Sequence, residues 1–161
     1  MVKPKPGPVR ELFNRAPILL YRAHLGWALG SNLLLLTMTG RKTSRTRRTV
    51  VEVVKSSTNA EGAPTVWVIA SRGRYSDWYA NVIAGGLTRI TWMSHSFTPR
   101  IHALNADERF DLLVDYQRRH ARAAAMLGKA ALGERFTGAH DELRRLAEDL
   151  RALRLEPAAT G

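Results

Sequence analysis

An antiparallel β-barrel with helices at its periphery is the fold class this sequence predicts, and three observations carry it. Five short runs of strand character fall between residues 33 and 104. Most are joined by segments with no room for the crossover helices that a parallel sheet needs. Helical periodicity is confined to the stretches before residue 31 and after residue 106, with one short exception.

Residues 1–9 are basic and proline-rich and are expected to form a disordered tail. They adjoin no signal-peptide core with a small-residue cleavage site. Over 10–30, Leu12, Phe13, Ala16, Leu19, Leu20, Ala23 and Trp27 recur at spacings of three and four, which predicts a helix. Asn14 is a candidate cap, Pro17 a start or kink, and Gly30 a stop. Lys3, Lys5, Arg10 and Arg15 flank this stripe. The helix either covers one end of the barrel, the favoured reading, or lies on an anionic membrane surface.

Residues 33–39 are almost continuously apolar, as for a strand buried on both faces. Residues 49–55 are valine-rich, and 56–64 form a polar loop with Asn59, Gly62 and Pro64. Residues 65–71 alternate around Trp67, residues 88–93 around Trp92, and 99–104 follow after a short turn. Between the third and fourth strands, 77–84 have helical spacing that Gly85 and Gly86 end. Asp107 can cap a helix to about residue 119. An alanine-rich helix over 121–132 and an amphipathic one over 138–153 follow, the latter with Leu143, Leu146, Leu150 and Leu153 inward. Residues 153–156 can add a closing strand. The expected organisation is a single domain over 10–156 with a flexible end over 157–161.

The 161 residues suffice for one domain with a real core. No apolar run approaches the ~20 residues of a membrane span, and a cytoplasmic protein is the default expectation. With no cysteine, disulfides and thiolate metal sites are excluded. Net charge is +11 and uneven: the first 106 residues hold fifteen basic and four acidic side chains, the remainder ten of each. Such asymmetry points to an anionic partner.

The excess is densest over 40–48, Gly-Arg-Lys-Thr-Ser-Arg-Thr-Arg-Arg, between the first two strands. Gly40 permits a tight turn. Thr43, Ser44 and Thr46 add hydroxyls, and backbone N–H groups can form an anion-binding nest. Arginine grips phosphate or carboxylate as a fork and lysine acts as a point charge. Five like charges repel one another without a counter-ion, which favours an anion site over a merely soluble hairpin tip. A second segment runs from Ala70-Ser71 through Arg72, Gly73, Arg74, Tyr75 and Ser76 to Asp77-Trp78-Tyr79-Ala80-Asn81. The helix start there can present N–H groups to an anion, with Trp78 and Tyr79 walling a planar ring. The competing reading has Trp78 plug the barrel and Asp77 merely cap the helix. Phosphate-loop, dinucleotide, zinc-protease and serine-hydrolase signatures are absent. The histidines (24, 95, 102, 120 and 140) are not at ligand spacing, so no metal site is expected.

Together these segments resemble the deazaflavin-dependent nitroreductase family of actinobacteria. The first family motif, a Leu-Leu-Thr strand end leading to a Gly-Arg-Lys-[Ser/Thr]-Gly-x-x-Arg loop, is matched by residues 35–47. The second, Trp-Tyr-x-Asn after an Ala-Ser strand end, is matched by Ala70-Ser71 and residues 78–81. Tyr21-Arg22-Ala23 and Gly26-Trp27 are similar to a subgroup in which a helix leads into the first strand. Four departures stand out: Ser44 replaces a glycine, Thr46 a frequent proline, Arg72-Gly73-Arg74-Tyr75-Ser76-Asp77 differs from the usual loop at the ring contacts, and Ala84-Gly85-Gly86 stands where Ala-Asn-Pro is common. The resemblance implies a split β-barrel related to flavin-binding reductases. It implies coenzyme F420, a deazaflavin with a phosphodiester and an oligoglutamate tail, as cofactor. It places Lys42 and Arg47 at the phosphate with Arg41 and Thr43 beside them, and Ser71, Arg72, Trp78 and Asn81 along the ring and linker. Arg45 and Arg48 would meet the glutamate tail by charge.

The activity so implied is hydride transfer to a quinone, nitro compound or other small electrophile. Tyr75, Tyr79 and Tyr116 are candidates for proton donor or pocket wall. The N-terminal helix would border a lipophilic acceptor and offer a peripheral membrane contact. Three rivals remain: a non-catalytic deazaflavin or fatty-acyl binding protein, an FMN reductase, and a nucleic-acid-binding protein. FMN lacks a glutamate tail and would need fewer cations. Nucleic-acid sites interleave aromatics with cations, and here only Trp78 stands near the cations, so nucleic acid is not favoured.

Overall fold

The computed structural model describes residues 30–158. The expected tail, the helix up to residue 29 with both of its readings, and residues 159–161 lie outside this part. Seven strands, β1 (Leu33–Thr39), β2 (Thr46–Thr58), β3 (Pro64–Ala70), β4 (Leu87–Trp92), β5 (His95–Phe97), β6 (Pro99–Ala103) and β7 (Arg151–Pro157), form one antiparallel sheet in the order β5-β4-β1-β2-β3-β7-β6. Among the described residues four α-helices accompany them: α1 (Asp77–Asn81), α2 (Ala106–Arg119), α3 (Ala121–Leu132) and α4 (His140–Asp149).

Connectivity explains why this sheet curls into a nearly closed barrel. Its two edge strands, β5 and β6, are consecutive in the chain and separated only by Thr98. The edges must therefore lie side by side, while Ala158 N, donating to Thr98 O at 2.9 Å, carries the β6–β7 pairing one step past Pro99 and Pro157. The register decides what fills the interior. Leu34 stands opposite Val51 and Trp92, and Leu36 opposite Thr49 and Ile90. Side chains alternate faces along a strand, so Leu34, Leu36 and Met38 point inward with Val66, Val68, Leu153 and Leu155. Val54 lies on the outer face by simple alternation with Val51 and Val53, and a bulge between Val53 and Lys55 sets Lys55 against Trp67 of β3 on that same face. There Val54, Ile69 and Trp67 pack beneath α2 and α3, and a third cluster joins α2, α3 and α4 through Leu113, Phe136, Leu143 and Leu146.

The structure differs from the sequence expectation at several boundaries. β2 begins at Thr46, three residues early, because the basic turn closes within 40–45 and leaves Arg47 and Arg48 in strand pairing at the barrel rim. It also runs on through Thr58, so the expected loop over 56–64 shrinks. β5 has three residues, too few to show a period. The expected helix over 138–153 stops at Asp149, since Leu150 is extended and Leu153 enters the barrel core. Its leucine spacing runs by coincidence across a helix–strand boundary. α2 is capped by Asn105 rather than Asp107: Asn105 Oδ1 accepts from Glu108 N at 2.9 Å, and Glu108 Oε2 accepts from Asn105 N at 2.8 Å.

Candidate functional site

The turn after β1 is small and tightly bonded. Gly40 N donates to Arg45 O at 2.9 Å, and Ser44 N to Gly40 O at 2.8 Å. Ser44 completes it with φ 53°, a left-handed conformation that glycine adopts without penalty. Arg41 then latches the turn onto α1. Its backbone N–H and Nη1 both donate to Asn81 Oδ1, at 3.2 and 2.8 Å, and its Nη2 lies 3.5 Å from Asp77 Oδ1. Asn81 is 8% exposed and also points Nδ2 at Met38 Sδ. Two of the sequence-predicted site residues, Arg41 and Asn81, thus hold each other in place.

The latch leaves an open cleft of about 390 Å³ at the barrel rim. Lys42, Thr43, Arg47 and Arg48 line one side, and Asp77, Trp78 and Asn81 the other. Register places Arg47 opposite Met38, on the face that fills the barrel, and Arg48 opposite Thr37 on the other face. Lys42, Arg47 and Arg48 form no ion pair with any described residue. Among the described residues nothing offsets their mutual repulsion, because the one described carboxylate at the cleft, Asp77, already faces Arg41. Arg45 is exposed beyond the cleft.

Ser71 and Arg72 go elsewhere. The loop after β3 folds onto the C-terminal end of α4, where Gly73 has φ 52° and a Cβ would stand 2.3 Å from Asp149 O. Arg151 Nη1 secures that helix end by donating to Glu148 O and Leu150 O at 2.7 and 2.8 Å. The loop is thereby held with Arg72 and Arg74 along a separate cleft of about 700 Å³. Tyr75 is 67% exposed and accepts a hydrogen bond from Arg74 Nη2.

Trp78 connects the parts. It packs on the barrel core, as the plug reading expected, yet it also borders both the cationic cleft and a chamber of about 440 Å³ under α3. Val50, Val54 and Ile69 form the chamber floor, while Ala123, Met126, Leu127 and Ala130 form its ceiling. Its polar wall is Tyr116, 3% exposed, whose hydroxyl donates to Glu52 Oε1 at 2.9 Å. Burial, and then the bond to Glu52 and its charge, raise the Tyr116 pKa well above that of an ordinary phenol. Tyr79 meets Trp78 edge-on, 6.0 Å between centroids, and packs against the barrel interior.

α1 has only five residues and continues into a wide turn, so it offers little of the helix-end field expected from the sequence. Among the described residues no cluster of His, Asp and Glu could hold a metal. His102 bonds Glu108 and His95 stacks on Trp92, both away from the cleft. The chamber ceiling escaped sequence reasoning because an alanine-rich helix carries no chemical signal. Glu52 escaped because its partner lies 64 positions away.

No helix among the described residues is long and apolar enough to cross a membrane. No curated protein matches the chain significantly. A family model described as F420H(2)-dependent quinone reductase matches residues 19–127, which take in the basic turn, Trp78 and the strands β1 to β6. With two thirds of its length matched, the chain belongs to the F420H(2)-dependent quinone reductase family and is an oxidoreductase that passes hydride from the reduced deazaflavin to small acceptors.

Proposed function

We propose that the cationic cleft holds the phosphodiester and oligoglutamate end of coenzyme F420, that its ring lies along Trp78, and that a quinone-like acceptor occupies the chamber beneath α3. One observation carries this reading: Trp78 is a wall shared by a cleft rich in unpaired cations and an apolar chamber. A ligand with several anionic groups at one end and a flat ring at the other suits that sequence of surfaces. FMN, with one phosphate, would leave most of the charge unmatched.

The bound coenzyme supplies the hydride. The protein's part is positional. Lys42, Arg47 and Thr43 would grip the anionic end, with Arg48 adding charge at the rim. Arg41 and Asn81 keep that wall fixed. Val54, Ile69 and Leu127 exclude water from the chamber, which favours an apolar acceptor at near-attack distance from the ring. Tyr116 keeps its proton and serves as a wall anchored on Glu52, leaving solvent at the chamber mouth to protonate the reduced acceptor. A peripheral membrane contact through residues 10–30 would bring a lipophilic quinone to this mouth. Unchanged turnover of a membrane-embedded quinone after removing residues 1–30 would speak against that contact.

The decisive experiment is titration of the apo-protein with F420 and with FMN, beside a Lys42→Ala, Arg47→Ala double variant. Each charge-assisted bond contributes roughly 1.5–3 kcal/mol, so the variant is expected to bind F420 at least about a hundred-fold more weakly. Equal affinity in variant and wild type, or tighter binding of FMN than of F420, would overturn the assignment.

A further inference from the structure

We infer that the second cleft, beside Arg72 and Arg74, docks a single anionic substituent carried by the acceptor. The inference rests on the chamber being the acceptor site. The two cavities adjoin, for Ser71 and Ala130 line both. An acceptor whose ring lies under α3 can therefore extend a side chain past Ser71 into the second cleft. That cleft is organised for a charge. Arg74 lies over the Tyr75 ring, 5.0 Å from its centroid, and donates Nη2 to the Tyr75 hydroxyl at 2.9 Å, which orients the guanidinium and leaves its other N–H groups uncommitted. Arg72 forms no ion pair with a described residue. The backbone beneath is fixed by the contact of Gly73 with Asp149 O.

Charge balance separates the two clefts. Among the described residues the first is lined by Arg41, Lys42, Arg47 and Arg48 against Asp77. The second is lined by Arg72, Arg74 and Arg151 against Glu148 and Asp149, with Arg151 turned to helix carbonyls. A polyanion belongs in the first. The second suits one carboxylate, because Glu148 and Asp149 would repel more.

The test compares 2-methyl-1,4-naphthoquinone bearing a 3-propionate with the methyl ester of the same compound, which differ in charge but scarcely in ring chemistry. Binding to the apo-protein is followed by quenching of tryptophan fluorescence, and kcat/KM is measured with saturating reduced coenzyme. Wild type is expected to bind the acid about ten-fold more tightly than the ester and to show the same preference in KM. Arg72→Ala, Arg74→Ala is expected to bring the ratio to about one, and Arg72→Lys, Arg74→Lys to keep most of it. A wild-type ratio of one or below, or a ratio unchanged in the alanine variant, overturns the inference. So does an equal loss of coenzyme affinity in that variant, which would place these arginines on the coenzyme. Failure of the coenzyme assignment is a separate result, seen as wild-type protein that does not bind F420 while the binding ratio of the two quinones is still measured.

Discussion

Ser44 holds its left-handed conformation in the basic turn although it is not a glycine. That conformation costs a non-glycine residue on the order of 1 kcal/mol. Ser44→Gly is accordingly expected to stabilise the protein by about 0.5–1 kcal/mol, a rise of a few degrees in Tm. Calorimetry showing a fall in Tm would mean that the hydroxyl is needed in the turn. Tyr116 makes a second residue-scale case. A general acid contributes about 10²–10⁴-fold, whereas a phenol committed to Glu52 contributes packing and one hydrogen bond. Tyr116→Phe is expected to change kcat less than about three-fold. A hundred-fold loss at unchanged KM would restore Tyr116 as the proton donor.

Among the elements, α3 is set by a close approach. A Cβ on Gly128 would stand 2.3 Å from the Phe136 ring, so α3 rests on that ring at a distance only glycine allows. Gly128→Ala must push the helix or the ring aside, at about 1–3 kcal/mol by analogy with overpacked cores. Because α3 roofs the chamber, the variant is expected to raise KM for the acceptor more than Kd for the coenzyme; equal effects on both would refute the separation of the two sites. The helix ends carry a pH dependence. Glu108 is lowered by its hydrogen bond from Asn105 N and by His102, and Asp115 by the bond from Arg119. Glu142, despite an opposing effect of burial, is lowered by bonds from Thr137, Ala139 and Gly138. Folded pKa values below the unfolded ones mean that this stability is complete above the ordinary carboxylate range and is lost as pH falls through the lowered values. Helical circular dichroism should therefore melt at lower temperature below about pH 4, with Glu142→Gln flattening the slope; an unchanged slope would remove Glu142 from the account.

For the molecule as a whole, the charge excess of the first 106 residues becomes local. Among the described residues it gathers on the barrel rim around the cleft, while α2 to β7 balance theirs in pairs such as Arg119–Asp115 and Arg144–Asp107. A polyanion held there should bind more weakly as salt screens the field, whose range is about 10 Å at 0.1 M. F420 affinity is expected to fall several-fold from 50 to 500 mM salt, with little change for the uncharged ester quinone. Salt-independent F420 binding would argue that the ring, not the charged end, supplies the affinity. The same rim field explains why a nucleic-acid reading arose from composition, and why a single aromatic beside the cations gives it little support.

Much of this architecture was readable along the chain, and for local reasons. A strand buried on both faces must be apolar throughout, so β1 announced itself. A dense cation cluster between two strands announced an anion site, and Gly85-Gly86 marked the end of the helix that carries Trp78. Within the described residues the order of elements, all but β5, and the two motifs of the resemblance were also legible. What the sequence withheld depends on distant pairing. The closure of β5 beside β6, the entry of β7 between β3 and β6, and the bulge that turns Lys55 outward are set by register between strands, which no window of sequence contains. The tertiary structure likewise divided the predicted site residues: it gathered Arg41, Lys42, Thr43, Arg47, Trp78 and Asn81 at one cleft, placed Ser71 on the wall shared by the chamber and the second cleft, and carried Arg72 into that second cleft. Residue type fixes what chemistry a side chain can perform, but the packing of the loop 71–76 against the end of α4 fixes which cavity receives it.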